Sequence, residues 1–164
     1  MNPKRPYSID LSAQMAVCDA NYIRILQILP KLSMGVHREI CFAPQFPYSS
    51  KPDTYPSTVI EVIERFKYTS TVRISHSVPD AGALFKAPEM LIRMYHDAKT
   101  AEVISYQQVR YLKAKYELPN SQMYLADEKE QINFLLSEWL IYCQSEGLCT
   151  SHALAKIMPT RTAA

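Results

Sequence analysis

Side chains with acid–base chemistry are concentrated in one short stretch of the chain, which contains Arg93, Tyr95, His96, Asp97 and Glu102. If this stretch forms a hairpin, alternation places Arg93, Tyr95 and Glu102 on one face of the sheet, with His96 and Asp97 at the turn. A histidine held by a carboxylate could act as an acid, a base or a ligand near neutral pH. The alternative is structural. His96 and Asp97 need not touch, and Arg93 with Glu102 also suits an ordinary cross-strand ion pair.

A second pair of titratable side chains lies on two neighbouring predicted strands. Alternation places Glu64 on the apolar face of its strand, together with Phe66, and His76 on the same face of the next strand. A half-buried Glu–His pair could form a catalytic dyad, because burial and pairing would shift both pKa values. Both side chains could equally lie at the sheet margin without a catalytic role.

Basic side chains form a third candidate site. Alternation predicts that Arg65, Lys67 and Arg73 share the polar face of the same two strands. Like charges on one face could bind phosphate, a nucleotide or RNA, although charge on a solvated face is also ordinary. Further members of the group, with tyrosines that could stack on bases, are Arg110, Lys113, Lys115, Tyr68, Tyr111 and Tyr116.

Several kinds of chemistry lack their usual motifs. The chain has only three glycines, so no glycine-rich phosphate loop is present. The four histidines show no metal-ligand spacing, so we predict no metal site and can name no cofactor. No Gly-x-Ser-x-Gly nucleophile motif occurs. The net charge of +2 does not favour nucleic acid or membrane partners, and any anion site must therefore be local.

Bulk composition predicts one folded domain in the cytoplasm. The 164 residues are 48% hydrophobic and 21% charged, as in ordinary globular proteins. No leader-like or membrane-spanning apolar run is found, so we expect no membrane association. The four cysteines include no Cys-x-x-Cys and are expected to be reduced thiols.

Helical periodicity predicts that one helix begins the domain and another ends it. The first should run over Ser12–Leu29, before the helix-breaking Pro30. The second should begin near Asp127 with a capping box to Glu130 and end at a left-handed Gly147. The apolar stripes of the two helices are Met15, Cys18, Tyr22, Leu26 and Leu29, then Ile132, Leu135, Leu136, Trp139, Leu140 and Cys143.

Between the helices, alternation predicts strands that pair in chain order. Phe66 should lie opposite Val72 or Ile74 across a turn with an odd residue count. Met94 should lie opposite Val103, and Tyr95 opposite Glu102, across a four-residue turn. A proline-rich loop covers 43–56, and 107–116 could be strand or helix. The strands predicted from alternation are His37–Phe42, Thr58–Tyr68, Thr71–Val78, Met90–His96 and Ala101–Tyr106.

We therefore predict an α+β fold, in which an antiparallel meander of about four to six strands is flanked by an N-terminal and a C-terminal helix. The domain should cover 12–147, with 1–11 as an N-terminal extension and 148–164 as a C-terminal tail.

An ordered string of short blocks in this chain resembles the YqiB-like family, a group of small cytoplasmic proteobacterial proteins of unknown function. The resemblance covers about 12–147 and implies no activity, cofactor or catalytic residue. The blocks are Tyr95-His96-Asp97-Ala98, Ala101-Glu102-Val103, Lys113-Ala114-Lys115-Tyr116, Pro119-Asn120, Asp127-Glu128-Lys129, Asn133-Phe134-Leu135, Trp139-Leu140 and Cys143.

The sequence favours a binding or adaptor domain without intrinsic catalysis, whose partner is a protein or a small anionic ligand. One alternative is a small hydrolase that acts on a nucleotide or phosphorylated metabolite through the Arg93 to Glu102 hairpin. Another is an RNA-associated protein that uses the basic strands.

Overall fold

The computed structural model describes residues 10–42, 55–77, 88–107, 109–110 and 128–149. These ranges form two helices and one antiparallel sheet of seven strands in the order β6-β5-β4-β3-β2-β1-β7. No helix in them is long and apolar enough to span a membrane. The elements are α1 Leu11–Ile28, β1 His37–Phe42, β2 Ser57–Arg65, β3 Thr69–Ser77, β4 Glu89–Tyr95, β5 Thr100–Tyr106, β6 Val109–Arg110, α2 Glu128–Glu146 and β7 Gly147–Cys149.

The α+β class and the antiparallel meander between two helices are confirmed. Strand β6 confirms a strand at 109–110, within the segment 107–116 that could have been strand or helix. Residues 111–116 lie outside the described residues. Strand β7 was not predicted. It takes 148 and 149 out of the expected tail and pairs with β1 at the sheet margin. The proline-rich segment 43–54 is outside the described ranges.

One face of the sheet is buried beneath the two helices. Residues directly opposite in an antiparallel pair share a face, and the pairs Ile60 with Ile74 and Val62 with Val72 are 0% exposed. Each such side chain contributes about 1.5–3 kcal/mol through removal from water. This buried layer, and not any single contact, fixes which way every strand faces.

Helix α1 ends before proline, as predicted, and it begins at a capped end. The Asp10 side chain accepts a hydrogen bond from the Ala13 amide at 3.1 Å, and Leu29 closes the last turn. The predicted stripe is confirmed at Tyr22 and Leu29. It is wrong at Met15, which is 57% exposed. The buried side of the helix is turned toward α2 and also includes Asn21, Ile25 and Ile28.

Helix α2 buries Leu136, Leu140 and Cys143, which confirms most of its predicted stripe, whereas Leu135 is 37% exposed. Ile132 and Trp139 are partly buried against the core. Gly147 has no left-handed conformation, so the predicted cap is wrong. Its small size serves the start of β7, because a Cβ there would collide with the Cys143 carbonyl oxygen and with Ile40.

The two helices lie side by side and run in the same direction. Asn21 Nδ2 donates to the Asn133 carbonyl oxygen at 3.0 Å, and Arg24 Nη1 donates to Ser137 Oγ at 2.8 Å. Residue numbers rise together along both helices, which makes the pair parallel. Sequence periodicity did not predict this arrangement, since it gives a helix's apolar side but not its neighbour's direction.

Asn133 also attaches α2 to the sheet. Its Oδ1 accepts a hydrogen bond from the Val103 amide of β5 at 2.8 Å, and its Nδ2 donates to the Lys129 carbonyl oxygen at 2.9 Å. Within the described residues, strand β6 pairs with Ser105 and Tyr106 and does not reach Val103, whose amide is bonded by this side chain. Asn133 is 1% exposed, and these bonds satisfy its buried amide group.

The first hairpin departs from strict alternation at one extra residue. Val62 lies opposite Val72, but Glu64 lies opposite Thr71, so Ile63 is a bulge. The turn is Phe66–Tyr68, which confirms an odd count. The predicted place of Phe66 opposite Val72 or Ile74 is wrong. It lies in the turn and is 62% exposed.

The second hairpin has the predicted four-residue turn, shifted by one residue to His96–Lys99. Met94 lies opposite Ala101 and Tyr95 opposite Thr100, so the register predicted for both residues is wrong. The last ladder bond between β3 and β4 runs from the His96 amide to the Tyr68 carbonyl oxygen at 2.8 Å, and the turn begins at His96.

We expect Asn133→Ala to lower the free energy of unfolding by about 2–3 kcal/mol, because the buried Val103 amide loses its acceptor. Urea denaturation followed by circular dichroism measures this. The neighbouring change Phe134→Ala is the control and should cost about 0.5 kcal/mol or less, since Phe134 is 54% exposed. Equal losses in both variants would contradict this role for Asn133.

Candidate functional site

The bulge at Ile63 divides the polar residues of the sheet between two surfaces. We define the open face as the side of the sheet opposite α1 and α2. We define the turn end as the turn Phe66–Tyr68 and the adjacent turn His96–Lys99, together with Arg65, which precedes the first turn. The turns are joined by the hydrogen bond from the His96 amide to Tyr68. Because of the extra residue, Glu64 faces the open face, and Arg65 lies opposite Ser70 on the other side. The turn end comprises Arg65, Phe66, Lys67, Tyr68, His96, Asp97, Ala98 and Lys99.

One end of the open face holds a strong ion pair. Glu61 and Arg73 lie opposite each other on β2 and β3, and Arg73 Nη2 is 2.6 Å from Glu61 Oε2. The hydrogen bond to Glu61 raises the pKa of Arg73 above its ordinary value. Arg73 is therefore already neutralised by a neighbour on the same surface.

Arg93 lies at the centre of the open face, between Thr71 on β3 and Glu102 on β5. Arg93 Nη2 is 3.9 Å from Glu64 Oε2, which is too long for a hydrogen bond. That carboxylate oxygen instead accepts a hydrogen bond from Thr71 Oγ1 at 2.7 Å. The Arg93 side chain is 41% exposed, so its guanidinium donors face solvent.

On the β5 side, Glu102 uses both carboxylate oxygens. Tyr95 donates its hydroxyl proton to Glu102 Oε1 at 2.9 Å, and Lys129 Nζ is 2.7 Å from Glu102 Oε2. Burial raises the pKa of Tyr95, and the bond to Glu102 raises it further. The structure thus brings Arg93, Tyr95 and Glu102 together, as alternation predicted.

Apolar side chains lie between these charges. Val59 shares the face of Ser75, and Leu91 lies opposite Arg73. Both are half-buried and lie beside exposed carboxylates. The open face therefore combines apolar patches with charges of both signs. Its members include Glu39, Val59, Glu61, Ile63, Glu64, Thr71, Arg73, Ser75, Glu89, Leu91, Arg93, Tyr95 and Glu102.

At the turn end, His96 links a helix to the sheet. Its Nδ1 is 3.1 Å from the Tyr22 hydroxyl of α1, and its Nε2 is 2.8 Å from Ser70 Oγ. Arg65 Nη1 donates to the same Ser70 oxygen at 3.0 Å. The ring nitrogens of His96 therefore contact Tyr22 and Ser70, and the pairing with Asp97 considered from sequence is not formed.

The hydrogen-bonded pair Ser70 and His96 has a structural role. Ser70 is 0% exposed, so its oxygen has no access to a substrate. Burial lowers the pKa of His96, and the nearby Arg65 lowers it further, while Asp97 opposes both effects. A neutral imidazole that bridges two hydroxyl groups holds α1 against the turns.

His76 is elsewhere, on the buried face opposite Thr58. Its Nδ1 is 3.0 Å from Thr58 Oγ1, and its ring packs against Trp139 with centroids 4.3 Å apart. Burial lowers the pKa of His76. The predicted Glu64–His76 dyad is wrong, because the bulge turns Glu64 to the open face.

The predicted basic group is also divided. Arg73 is paired on the open face, whereas Arg65 binds Ser70 at the turn end. Lys67 lies in the first turn with its Nζ 5.0 Å from the Tyr68 ring centroid. Lys113 and Lys115 lie outside the described residues. The single face of like charge expected from alternation is therefore not formed by Arg65, Lys67 and Arg73.

Other reactive groups in the described ranges are protected. Burial raises the pKa of Cys18 to about 11 and that of Cys143 to about 12, so both thiols stay neutral. No group of three or more His, Cys, Asp or Glu side chains within those ranges could hold a metal.

Sequence reasoning missed the residues that hold the site in place. Lys129 and Thr71 bind the carboxylates of the open face, and Tyr22 and Ser70 bind His96. Tyr22 was assigned only to an apolar stripe. A tyrosine within a buried stripe still needs a partner for its hydroxyl group, and this requirement could have indicated a polar neighbour.

The partly buried histidines His76 and His96 should make folding sensitive to acid. Their pKa values in the folded state lie below the ordinary 6.5, so the unfolded chain takes up protons first as the pH falls. The contribution of these histidines to the free energy of unfolding should be retained above about pH 6.5 and should be lost progressively as the pH falls below it. Urea denaturation across this range measures the slope, which should be shallower in His96→Gln and His76→Gln. His37→Gln, at an exposed position, is the control, and a slope unchanged in all three variants would contradict the assignment.

Comparison with known proteins places the chain in a family. The family described as "Protein of unknown function (DUF1249)" matches residues 24–149. Proteins named "Uncharacterized protein YqiB" from Escherichia coli K12, O6:H1 and O157:H7 are each 34% identical over 141 residues, which cover 86% of this chain and 93% of theirs. No solved structure matches. The chain thus belongs to the DUF1249 family, and the predicted YqiB-like resemblance is confirmed.

Proposed function

We propose that this protein is a binding domain without catalysis of its own, and that it docks a protein partner on the open face. The observation that supports this most is the state of Arg93. Its side chain is 41% exposed, and its Nη2 lies beyond hydrogen-bond distance from Glu64. Arg73 on the neighbouring strand β3 instead forms a hydrogen-bonded ion pair with Glu61 at 2.6 Å. Arg93 can therefore form a bidentate bond to a carboxylate that a partner supplies.

The surroundings of Arg93 favour a protein over a free anion. Glu64 is 47% exposed and lies 3.9 Å from the same guanidinium nitrogen, so a phosphate there would be repelled. Glu102 on the adjacent strand adds a second carboxylate. A protein surface can place an acidic side chain on Arg93 and a basic one on Glu64, which satisfies both charges.

The apolar side chains of the open face also favour a protein partner over a free anion. Val59 and Leu91 are half-buried on the open face between the charged positions. Protein interfaces typically join such partly exposed apolar groups to a polar surround, with arginine and tyrosine enriched at their centres. Arg93 occupies such a central position here, and Tyr95 lies beside it toward the turns.

The hydrolase alternative considered from sequence has less support. It relied on His96 as an acid or base, but both ring nitrogens are engaged by Tyr22 and Ser70. Of the groups at the Arg93 to Glu102 hairpin, Glu102 has both oxygens occupied. A metabolite screen in which turnover disappears with His96→Ala, while the fold is retained, would favour the enzyme over the binding domain.

A charge reversal at the centre of the open face tests the proposal. We expect Arg93→Glu to reduce the recovery of specific partner proteins from lysate at least about tenfold, because a partner's carboxylate would be repelled. The matched control is Arg38→Glu, which reverses an exposed charge on β1 outside the open face. Quantitative mass spectrometry of affinity-captured proteins gives the readout, with circular dichroism confirming that both variants fold.

A photo-crosslinking residue at Val59 or at Gln27 distinguishes the open face from the exposed side of α1. Crosslinks to the recovered partner should form from Val59 and not from Gln27. Partner recovery that is equal in the wild type and Arg93→Glu, or crosslinks only from Gln27, would contradict the proposal.

A further inference from the structure

We propose that the turn end is a binding site for single-stranded nucleic acid, in which bases stack on Phe66 and Tyr68 while phosphates pair with Arg65, Lys67 and Lys99. This surface is separate from the open face, so the inference goes beyond the protein-binding role.

Exposed aromatic rings are the first observation. Phe66 is 62% exposed and Tyr68 is 57% exposed, although they are only two residues apart on one turn. Burying such rings is among the largest gains available in folding. Neither ring is placed in the core here, and both present apolar surface at the end of the sheet. Nucleic-acid bases stack on such platforms without regard to sequence.

Charge at the same place favours an anionic polymer. Arg65, Lys67 and Lys99 are exposed, and none of them takes part in an ion pair within the described residues. Asp97 is the one carboxylate in the two turns, so the turn end has a net positive charge when His96 is neutral. Over the full chain the formal charge is only +2. The positive charge of the turn end is therefore a local feature of these two turns.

The turns that present these groups are held in place. The Phe66 amide donates to the Thr69 carbonyl oxygen at 2.8 Å, and the His96 amide donates to the Tyr68 carbonyl oxygen at 2.8 Å. The His96 ring is anchored to Tyr22 of α1. A platform that is already ordered loses little conformational freedom when a ligand binds.

Lys67 lies over one side of the Tyr68 ring, with its Nζ 5.0 Å from the centroid. This cation–π contact leaves the opposite side of the ring for a base. The ammonium group is also placed where the phosphate next to a stacked base would pass. Aromatic and basic groups in such proximity are the arrangement that single-strand binding uses.

The form of the surface favours a single strand over a duplex or a bilayer. Base faces are hidden within a duplex, so Phe66 and Tyr68 could not stack there. A broad anionic surface would also meet the carboxylates of the neighbouring open face, including Glu64, which is 47% exposed. A single strand can cross the turns without contacting that face. RNA and DNA strands offer the same phosphates and base faces, and the experiment below separates them.

Fluorescence anisotropy of labelled oligouridine and oligothymidine, with the full chain at low salt, tests the proposal. We expect binding of at least one strand, with log affinity falling against log salt at a slope of about −2 for three basic side chains. Phe66→Ala/Tyr68→Ala and Lys67→Gln/Lys99→Gln should each weaken binding at least about tenfold. Preference for oligouridine would identify RNA, and preference for oligothymidine would identify DNA.

Matched controls keep the test independent of folding and of general charge. Phe134→Ala removes another exposed ring, and Lys31→Gln/Arg38→Gln removes two exposed charges elsewhere, so neither should alter affinity. Circular dichroism checks that every variant folds. The proposal is overturned if neither strand binds, if controls and turn variants weaken binding equally, or if only anionic vesicles bind.

Discussion

Asn133 joins both helices and the sheet at one point, through its side chain and its backbone oxygen. It accepts a hydrogen bond from the Val103 amide at the margin of the sheet, and its backbone oxygen accepts one from Asn21 of α1. A strand margin left without a partner would expose unpaired amides to the core or to another chain. The same part of α2 carries Lys129, whose Nζ lies 2.7 Å from Glu102 Oε2. The position of the helices, and part of the open face, therefore depend on this buried amide.

The bulge at Ile63 has a comparable effect on the surface. One extra residue in β2 reverses the direction of every side chain between it and the turn. Glu64 moves to the open face beside Arg93, and Arg65 moves to Ser70. The polar groups are thereby divided between a mixed-charge face and a basic, aromatic turn end. The two surfaces therefore differ in chemistry and suit different kinds of partner.

The buried histidines show how titratable groups can be structural. His96 and His76 both bind hydroxyl groups, and burial lowers the pKa of each. A neutral imidazole suits these positions because one nitrogen can donate while the other accepts. The side chains that looked most reactive in the sequence therefore hold elements together, while the exposed Arg93, Phe66 and Tyr68 are available for binding.

Periodicity in the sequence determined the α+β class, the order of the helices and long strands, and the common face of Arg93, Tyr95 and Glu102, because these follow from which residues can be buried. Only the tertiary structure decided the bulge at Ile63, the one-residue shift of the second turn and the parallel helix pair. The parallel helix pair, for example, is held by bonds between residues far apart in the chain, Asn21 with Asn133 and Arg24 with Ser137. A local pattern records which side of an element is apolar, but not which distant group will satisfy its polar atoms.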